Sequence, residues 1–271
     1  MKMKNIFAAA LVGELSMSGL ATQAQAEDSA TDLAKKLSNP VAALISVPMQ
    51  LNYDKKTGTS QSGKRSVLNV QPVVPVTLNQ DWNIISRTIV PLVSQQDITP
   101  GAGSQSGVGD IVQSVFFSPK APTADGWIWG AGPVLLLPTG SSDMLSAKKW
   151  GAGPTAVLLK QDSGWTYGAL ANHIWSFAGD STRSDISATF LQPFLSYTTP
   201  TAWTYGVNTE STYDWKATQW SVPLNLSVSK VTKIGDQLMS LGGGVRYWAY
   251  GPDSGPHGWG LRLVMTLLYP K

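Results

Sequence analysis

The chain has no cysteine among its 271 residues. No disulfide framework, thiolate chemistry or sulfur-ligated metal site can be built from it. It carries two histidines, His173 and His257, which is little material for a catalytic triad. Charged residues make up only 14% of the chain and form no basic cluster, which argues against a nucleic-acid partner. Beyond residue 26 no run of 18 apolar residues occurs, so a membrane-spanning helix is not expected. No metal-ligand spacing or phosphate loop stands out, and "GAGSQSG" lacks the strand–helix setting of a dinucleotide fingerprint. No cofactor is expected.

Residues 1–26 stand apart. Lys2 and Lys4 precede a mostly apolar run from Ile6 to Leu20, broken by Glu14, and Ala24-Gln25-Ala26 is a small-residue cleavage site. That is the layout of a secretory signal peptide, with the mature chain starting at Glu27. Its removal takes two of the 20 basic and one of the 17 acidic residues, leaving 18 and 16. An exported chain without a spanning helix is periplasmic, secreted, or a barrel in an outer membrane. Closing a sheet is the only non-helical way through lipid, because closure pairs every backbone polar group.

What the chain does have is β-pattern. Residues 27–40, "EDSATDLAKKLSNP", are polar and fit a short periplasmic segment or plug. From Val41 to the end, helical periodicity nearly vanishes and twelve β-rich segments follow, bounded by Gly, Pro, Asn, Asp or Ser. The expected strands are Ala42–Tyr53, Ser66–Leu78, Trp82–Ser94, Gly109–Ser118, Gly126–Leu137 and Trp150–Lys160. They continue with Trp165–Phe177, Ile186–Thr198, Trp203–Trp215, Trp220–Val231, Gln237–Tyr250 and Gly258–Tyr269. Long polar loops such as "DKKTGTSQSGKR" and "QQDITPGAGSQSGV" alternate with short turns such as "NQD" and "QDSG", with "PKAPTAD" and "KATQ" as exceptions. An even strand count with loops sorted by length is the signature of an outer-membrane barrel. The expected fold is therefore all-β: a transmembrane, antiparallel, up-and-down barrel of about twelve strands over residues 41–271.

The segment "WTYGVNTESTYDW" shows the logic. One face reads Trp203, Tyr205, Val207, Thr209, Ser211, Tyr213, Trp215, and the other Thr204, Gly206, Asn208, Glu210, Thr212, Asp214. Indole and phenol rings settle at headgroup level, so the aromatic face looks to lipid and the polar face to the lumen. Thr209 and Ser211 are the weak point, hydroxyls where larger apolar residues are expected. Prolines within strands, with Gly242-Gly243-Gly244, are expected to mark bulges or kinks.

Candidate solute-binding residues are the polar side chains on luminal faces: Asn69 and Gln71 on the second strand, and Arg87 on the third. Asn208, Glu210 and Asp214 come from the ninth strand, Arg246 and Arg262 from the last two. Small barrels also fill their interiors with paired charges that only satisfy one another. The register of the third and fourth strands is ambiguous, which leaves Arg87 and Asp110 less certain to face inward. His173 falls on the lipid face near an interface.

The stretches "NVQPVVPV", "GVGDIVQSVFFSPK", "GPVLLLPTG", "KKWGAGP", "NHIWSFAGD", "LQPFLSY" and "WSVPLNLSVSKV" resemble the outer-membrane family named after the MetA pathway of phenol degradation. The resemblance covers nearly all of the mature chain. It implies a β-barrel in a Gram-negative outer membrane, and a role in uptake of small solutes, aromatic or hydrophobic ones included. The expected function is a passive channel, with outer-membrane lipids and a small-molecule solute as partners. Alternatives are a structural or ligand-binding barrel without transport, and a membrane-embedded lipid hydrolase. Twelve-stranded outer-membrane phospholipases carry a Ser two residues from their His on one strand face, whereas Trp175 follows His173 here, so no enzyme is expected.

Overall fold

A computed structural model describes residues 30–269; the signal peptide expected at 1–26 lies outside them. Fifteen strand segments form one antiparallel sheet that closes on itself. Three of the barrel strands are each interrupted once, so the segments make the twelve expected strands. These are β1 (Ile45–Thr57), β2 (Gly63–Val70 continued by Val73–Thr77), β3 (Trp82–Gln96), and β4 (Ser104–Val108 continued by Ile111–Pro119). Next come β5 (Trp127–Leu137), β6 (Lys149–Asp162), β7 (Trp165–Gly179) and β8 (Ser187–Thr198). The ring ends with β9 (Trp203–Thr209 continued by Ser211–Asp214), β10 (Gln219–Ile234), β11 (Gln237–Tyr250) and β12 (Gly258–Tyr269). Each strand pairs with its neighbours in sequence, and β12 returns to β1 from Ile45↔Tyr269 to Tyr53↔Leu261.

Strands run further than the apolar alternation suggests at the long-loop end. β1 continues to Thr57 and β2 starts at Gly63, so much of "DKKTGTSQSGKR" is paired ladder. Backbone pairing needs no lipid and persists where polar side chains take over. At the opposite end turns are tight, apart from the seven residues 120–126 between β4 and β5. Ser163 and Gly164 have φ of 49° and 88°, the positive values a two-residue hairpin needs to match the strand twist. In outer-membrane barrels this short-turn end faces the periplasm.

Each interruption lies beside a proline of the neighbouring strand. A proline has no N–H, so the strand beside it loses a ladder partner. The gap at Gln71 and Pro72 lies against Pro48, whose carbonyl still accepts from the Gln71 N–H at 2.8 Å. The gap at Gly109 and Asp110 lies against Pro91. The gap at Glu210 falls where the β9–β10 register would bring it opposite Pro223. A bulge accompanies Pro223, where the β10–β11 register shifts, but none occurs beside Pro48. No bulge occurs at Gly242-Gly243-Gly244, where both neighbouring ladders pass in unbroken register.

Outward faces are apolar through the middle of the barrel and aromatic at its rims. Leu224, Leu226 and Val228 stand exposed on β10 beside Val245 and Leu261. Trp82 meets Trp129 edge-on at 5.7 Å and Trp165 meets Tyr197 at 5.0 Å at the short-turn rim. Tyr247 and Trp259 are 5.0 Å apart at the other. Lipid-facing hydroxyls are not left bare. Thr209 and Ser211 bond each other at 2.6 Å, and the outward Gln113 accepts from Thr88 and donates to Ser86.

A helix over residues 30–37 precedes the barrel. Its Leu33 and Ala34 are buried with Leu44, Ala202, Val231 and Leu268, side chains of the inner wall and of one short turn. Thr31 donates to the Pro200 carbonyl at 2.6 Å, and Gln161 donates to the Lys35 carbonyl at 2.8 Å. After Pro40 the chain sends Val41 to the other wall, among Ile85, Phe116, Val157, Leu159 and Leu170. The segment thus crosses the short-turn mouth and touches both sides of the lumen.

Leu226→Arg places a charge at mid-height on the lipid face. It is expected to cost about 2–4 kcal/mol, measurable by urea unfolding of vesicle-inserted protein, whereas Lys230→Arg at the aromatic rim is expected to cost little.

Candidate functional site

Strand alternation delivers the luminal polar residues. On β12 the inward row is Gly260, Arg262, Val264, Thr266, Leu268; outward residues such as Leu261 and Leu263 are exposed. Arg262 is 4% exposed and each of its three guanidinium nitrogens donates a hydrogen bond. Its Nη1 and Nη2 donate to the two Glu210 carboxylate oxygens at 2.9 and 2.7 Å, and its Nε donates to Asn52 Oδ1 at 2.7 Å. The bidentate geometry is the strong form of this contact. Glu210 reaches it from β9, three strands away, so the bond bridges the lumen over β10 and β11.

Arg246 on β11 is also buried and donates to Asp54 Oδ2 at 3.4 Å. The Trp248 indole N–H donates to the other Asp54 oxygen at 2.9 Å, and the Arg246 guanidinium lies 5.0 Å from the Trp248 ring centre. Arg246 Nε has no hydrogen-bond partner among the described residues. Arg65 stands opposite Asp54 in the β1–β2 ladder. Arg87 does face inward: its Nη2 donates to Gln71 Oε1 at 2.8 Å. Asn208 accepts from Asn225 at 2.8 Å. Asn69 shares the inner face with Gln50 and Pro91, its ladder neighbours.

Two expected residues leave this group. Asp214 lies at the long-loop rim, exposed, where its carboxylate accepts from the backbone N–H groups of Lys216 and Ala217 and fixes the turn. Asp110 accepts from Gly140, Ser146 and Ala147 and anchors the loop after β5. Asp54 and Trp248 join it without having been singled out. The signal for Asp54 was present, since it lies two residues beyond Asn52 on the same face.

The lumen is lopsided. Ile85, Phe116, Val157, Leu159 and Leu170 pack the side formed by β3 to β7. Opposite, small residues such as Gly206, Ser227 and Gly242 leave two adjoining cavities of about 310 and 270 Å³. Both touch Leu37 and Ser38 of the N-terminal segment, and both touch Gln71 and Arg87.

Ion pairs also dress the long-loop end. Lys149 bonds Asp185 at 3.0 Å and Lys148 bonds Asp143 at 2.6 Å, while Arg183 donates to the Asp143 and Ser146 carbonyls. The Lys148 hydrogen bond and charge hold the Asp143 carboxyl below its usual range, and Lys149 does the same for Asp185.

On the lipid face, His173 bonds Thr189 at 2.7 Å and stacks beside Trp175 at 4.1 Å. Ser187 is 3.4 Å from its other ring nitrogen, and Trp215 donates to Thr189 at 2.8 Å. The imidazole is satisfied within the aromatic rim, as the sequence suggested. Among the described residues no group of three or more His, Cys, Asp or Glu could hold a metal.

Comparison with known proteins agrees with this architecture. The family described as "Putative MetA-pathway of phenol degradation" matches residues 53–254. The COG4313 outer membrane channel from Pseudomonas putida F1 is similar in structure, with a TM-score of 0.65 at 14% identity, covering 84% of this chain and 96% of that one. The NanC porin aligns with a TM-score of 0.49 at 12% identity, covering 83% of this chain and 100% of its own. Outer membrane phospholipase A from Escherichia coli aligns at 0.48 and 10% identity, covering 84% and 93%. No curated protein matches.

Two outcomes follow from the charges. Glu210→Ala strands a buried Arg262 and is expected to lower stability by about 3–5 kcal/mol; replacing both partners by methionine restores most of the loss in a double-mutant cycle. The depressed carboxyls stabilise loop docking above their unfolded pKa of about 3.9, and that contribution disappears as pH falls through their lower folded values. Protection of amides in 143–148 and 180–185, taken as exchange corrected for the intrinsic rate at each pH, is therefore expected to fall as the pH is lowered from 7 to below about 3.9, with protection in the strands unchanged.

Proposed function

We propose a channel function for this chain, which belongs to the MetA-pathway of phenol degradation family: passive passage of small solutes, aromatic or hydrophobic ones included, across a Gram-negative outer membrane. One observation carries the reading. The cavities beside Arg87 lie along the polar, glycine-lined half of the lumen, between the N-terminal segment and Asn208. Eight strands leave room only for side chains and sixteen leave an open aqueous pore. Twelve strands, half filled by apolar side chains, leave a passage fit for one small molecule at a time.

The helix at 30–37 is the plug in this reading. It is held by a few apolar side chains and two hydrogen bonds, one to a short turn and one to the end of β6, contacts few enough to break and reform. The mature protein in planar bilayers is expected to conduct in small steps, and removal of residues 27–40 is expected to raise the step size. A folded barrel that passes no current in either form contradicts the proposal. Gly206 lines the larger cavity, and a Cβ there meets only the Ser227 hydroxyl closely, at 3.2 Å. Gly206→Leu is therefore expected to fold, and to lower conductance by filling the passage.

A further inference from the structure

The central arginines are not equally employed. Arg262 spends its fork on Glu210 and Asn52, and Arg246 faces Asp54. Arg87 has no carboxylate bonded to it; Gln71 is its one hydrogen-bond partner among the described residues. A guanidinium has five N–H donors in a planar fork that fits a carboxylate with two parallel bonds. Inside the barrel Arg87, Arg246 and Arg262 are set against Asp54 and Glu210, so positive charge is in excess by one there. Charge withdrawn from bulk water is costly without a partner, and Arg87 lines both cavities.

The surroundings of Arg87 have two characters. Gln71, Gln192 and Asn208 line the larger cavity and can donate to an anion's oxygens. Phe194, Val73 and Leu44 line the same cavity. A simple inorganic anion would use only the first group, and a hydrocarbon only the second. The volume of about 310 Å³ is at the small end of ligand pockets.

We infer that this cavity is a binding site for small organic monocarboxylates, with the carboxylate on Arg87 and the hydrocarbon part against Phe194 and Val73. The inference rests on the channel reading and narrows its solute class: a ring or short chain bearing one acid group passes in preference to its neutral analogue.

Benzoate and benzyl alcohol, alike in size and differing in charge, separate the possibilities. In planar bilayers benzoate is expected to interrupt the wild-type current in resolvable events at concentrations where benzyl alcohol does not. Calorimetry on the detergent-solubilised barrel should show benzoate binding that weakens about tenfold or more in Arg87→Gln, with Arg87→Lys between the two. Phe194→Ser is expected to weaken benzoate while leaving formate unchanged, a second readout should Arg87→Gln fail to fold. Equal binding of benzoate and benzyl alcohol, or undiminished benzoate binding in Arg87→Gln, overturns the inference. So does equal binding of benzoate and formate by the wild type. A wild-type barrel that binds benzoate but carries no current sinks the channel reading and leaves the site standing.

Discussion

Every backbone N–H and C=O at membrane depth must find a partner within the protein, because hydrocarbon offers none. The β1–β12 ladder meets that constraint by turning a sheet with two open edges into a ring without any. Twelve strands then present two faces fixed by parity alone, one greasy and one polar. The same constraint explains where the wall is irregular. Pro48, Pro91 and Pro223 each withdraw one donor, and the strands beside them lose ladder at Gln71, Gly109 and Glu210. Glu210, the acid that bridges the lumen to Arg262, thus sits at a break in its own strand.

Inside, apolar packing and charge divide the space. The hydrophobic cluster around Ile85 and Phe116 fills one side and gives the barrel something like a core. That leaves the other side to glycines, serines and the arginine layer. The Glu210–Arg262 bridge holds β9 to β12 across this emptier half, where side-chain packing is thinnest. In the proposed channel, a bridge that braces the wall would also contribute to the charge that a solute meets.

The fold was legible because period-two alternation and end-of-strand aromatics are local signals; parity placed Asn52, Glu210, Arg246 and Arg262 correctly inward. What parity could not give was which inward residues meet. Nothing in the spacing of Glu210 and Arg262 reveals a bond across three strands, since that depends on barrel curvature and side-chain reach. Asp54 hid in a polar run that reads as loop, because pairing continues after apolar alternation ends. Asp214 and Asp110 misled for the converse reason: a carboxylate near a strand end finds backbone N–H groups in the adjoining loop before it finds the lumen. Gly242-Gly243-Gly244 suggested a bulge, yet the ladders run through in register and the glycines allow close approach of the neighbouring backbone.

Closure between the first and last strands is the claim on which the rest stands, and the natural chain's lack of cysteine makes it directly testable. Gln50 and Val264 face each other on the inner surface of the β1–β12 ladder. Cysteines at both positions, oxidised in the vesicle-inserted protein, should form an intramolecular disulfide that alters mobility after unfolding and disappears on reduction. A barrel that stays unlinked here, while a control pair at Gly206 and Ser227 on β9 and β10 links readily, would mean that the ring is open and the account is wrong.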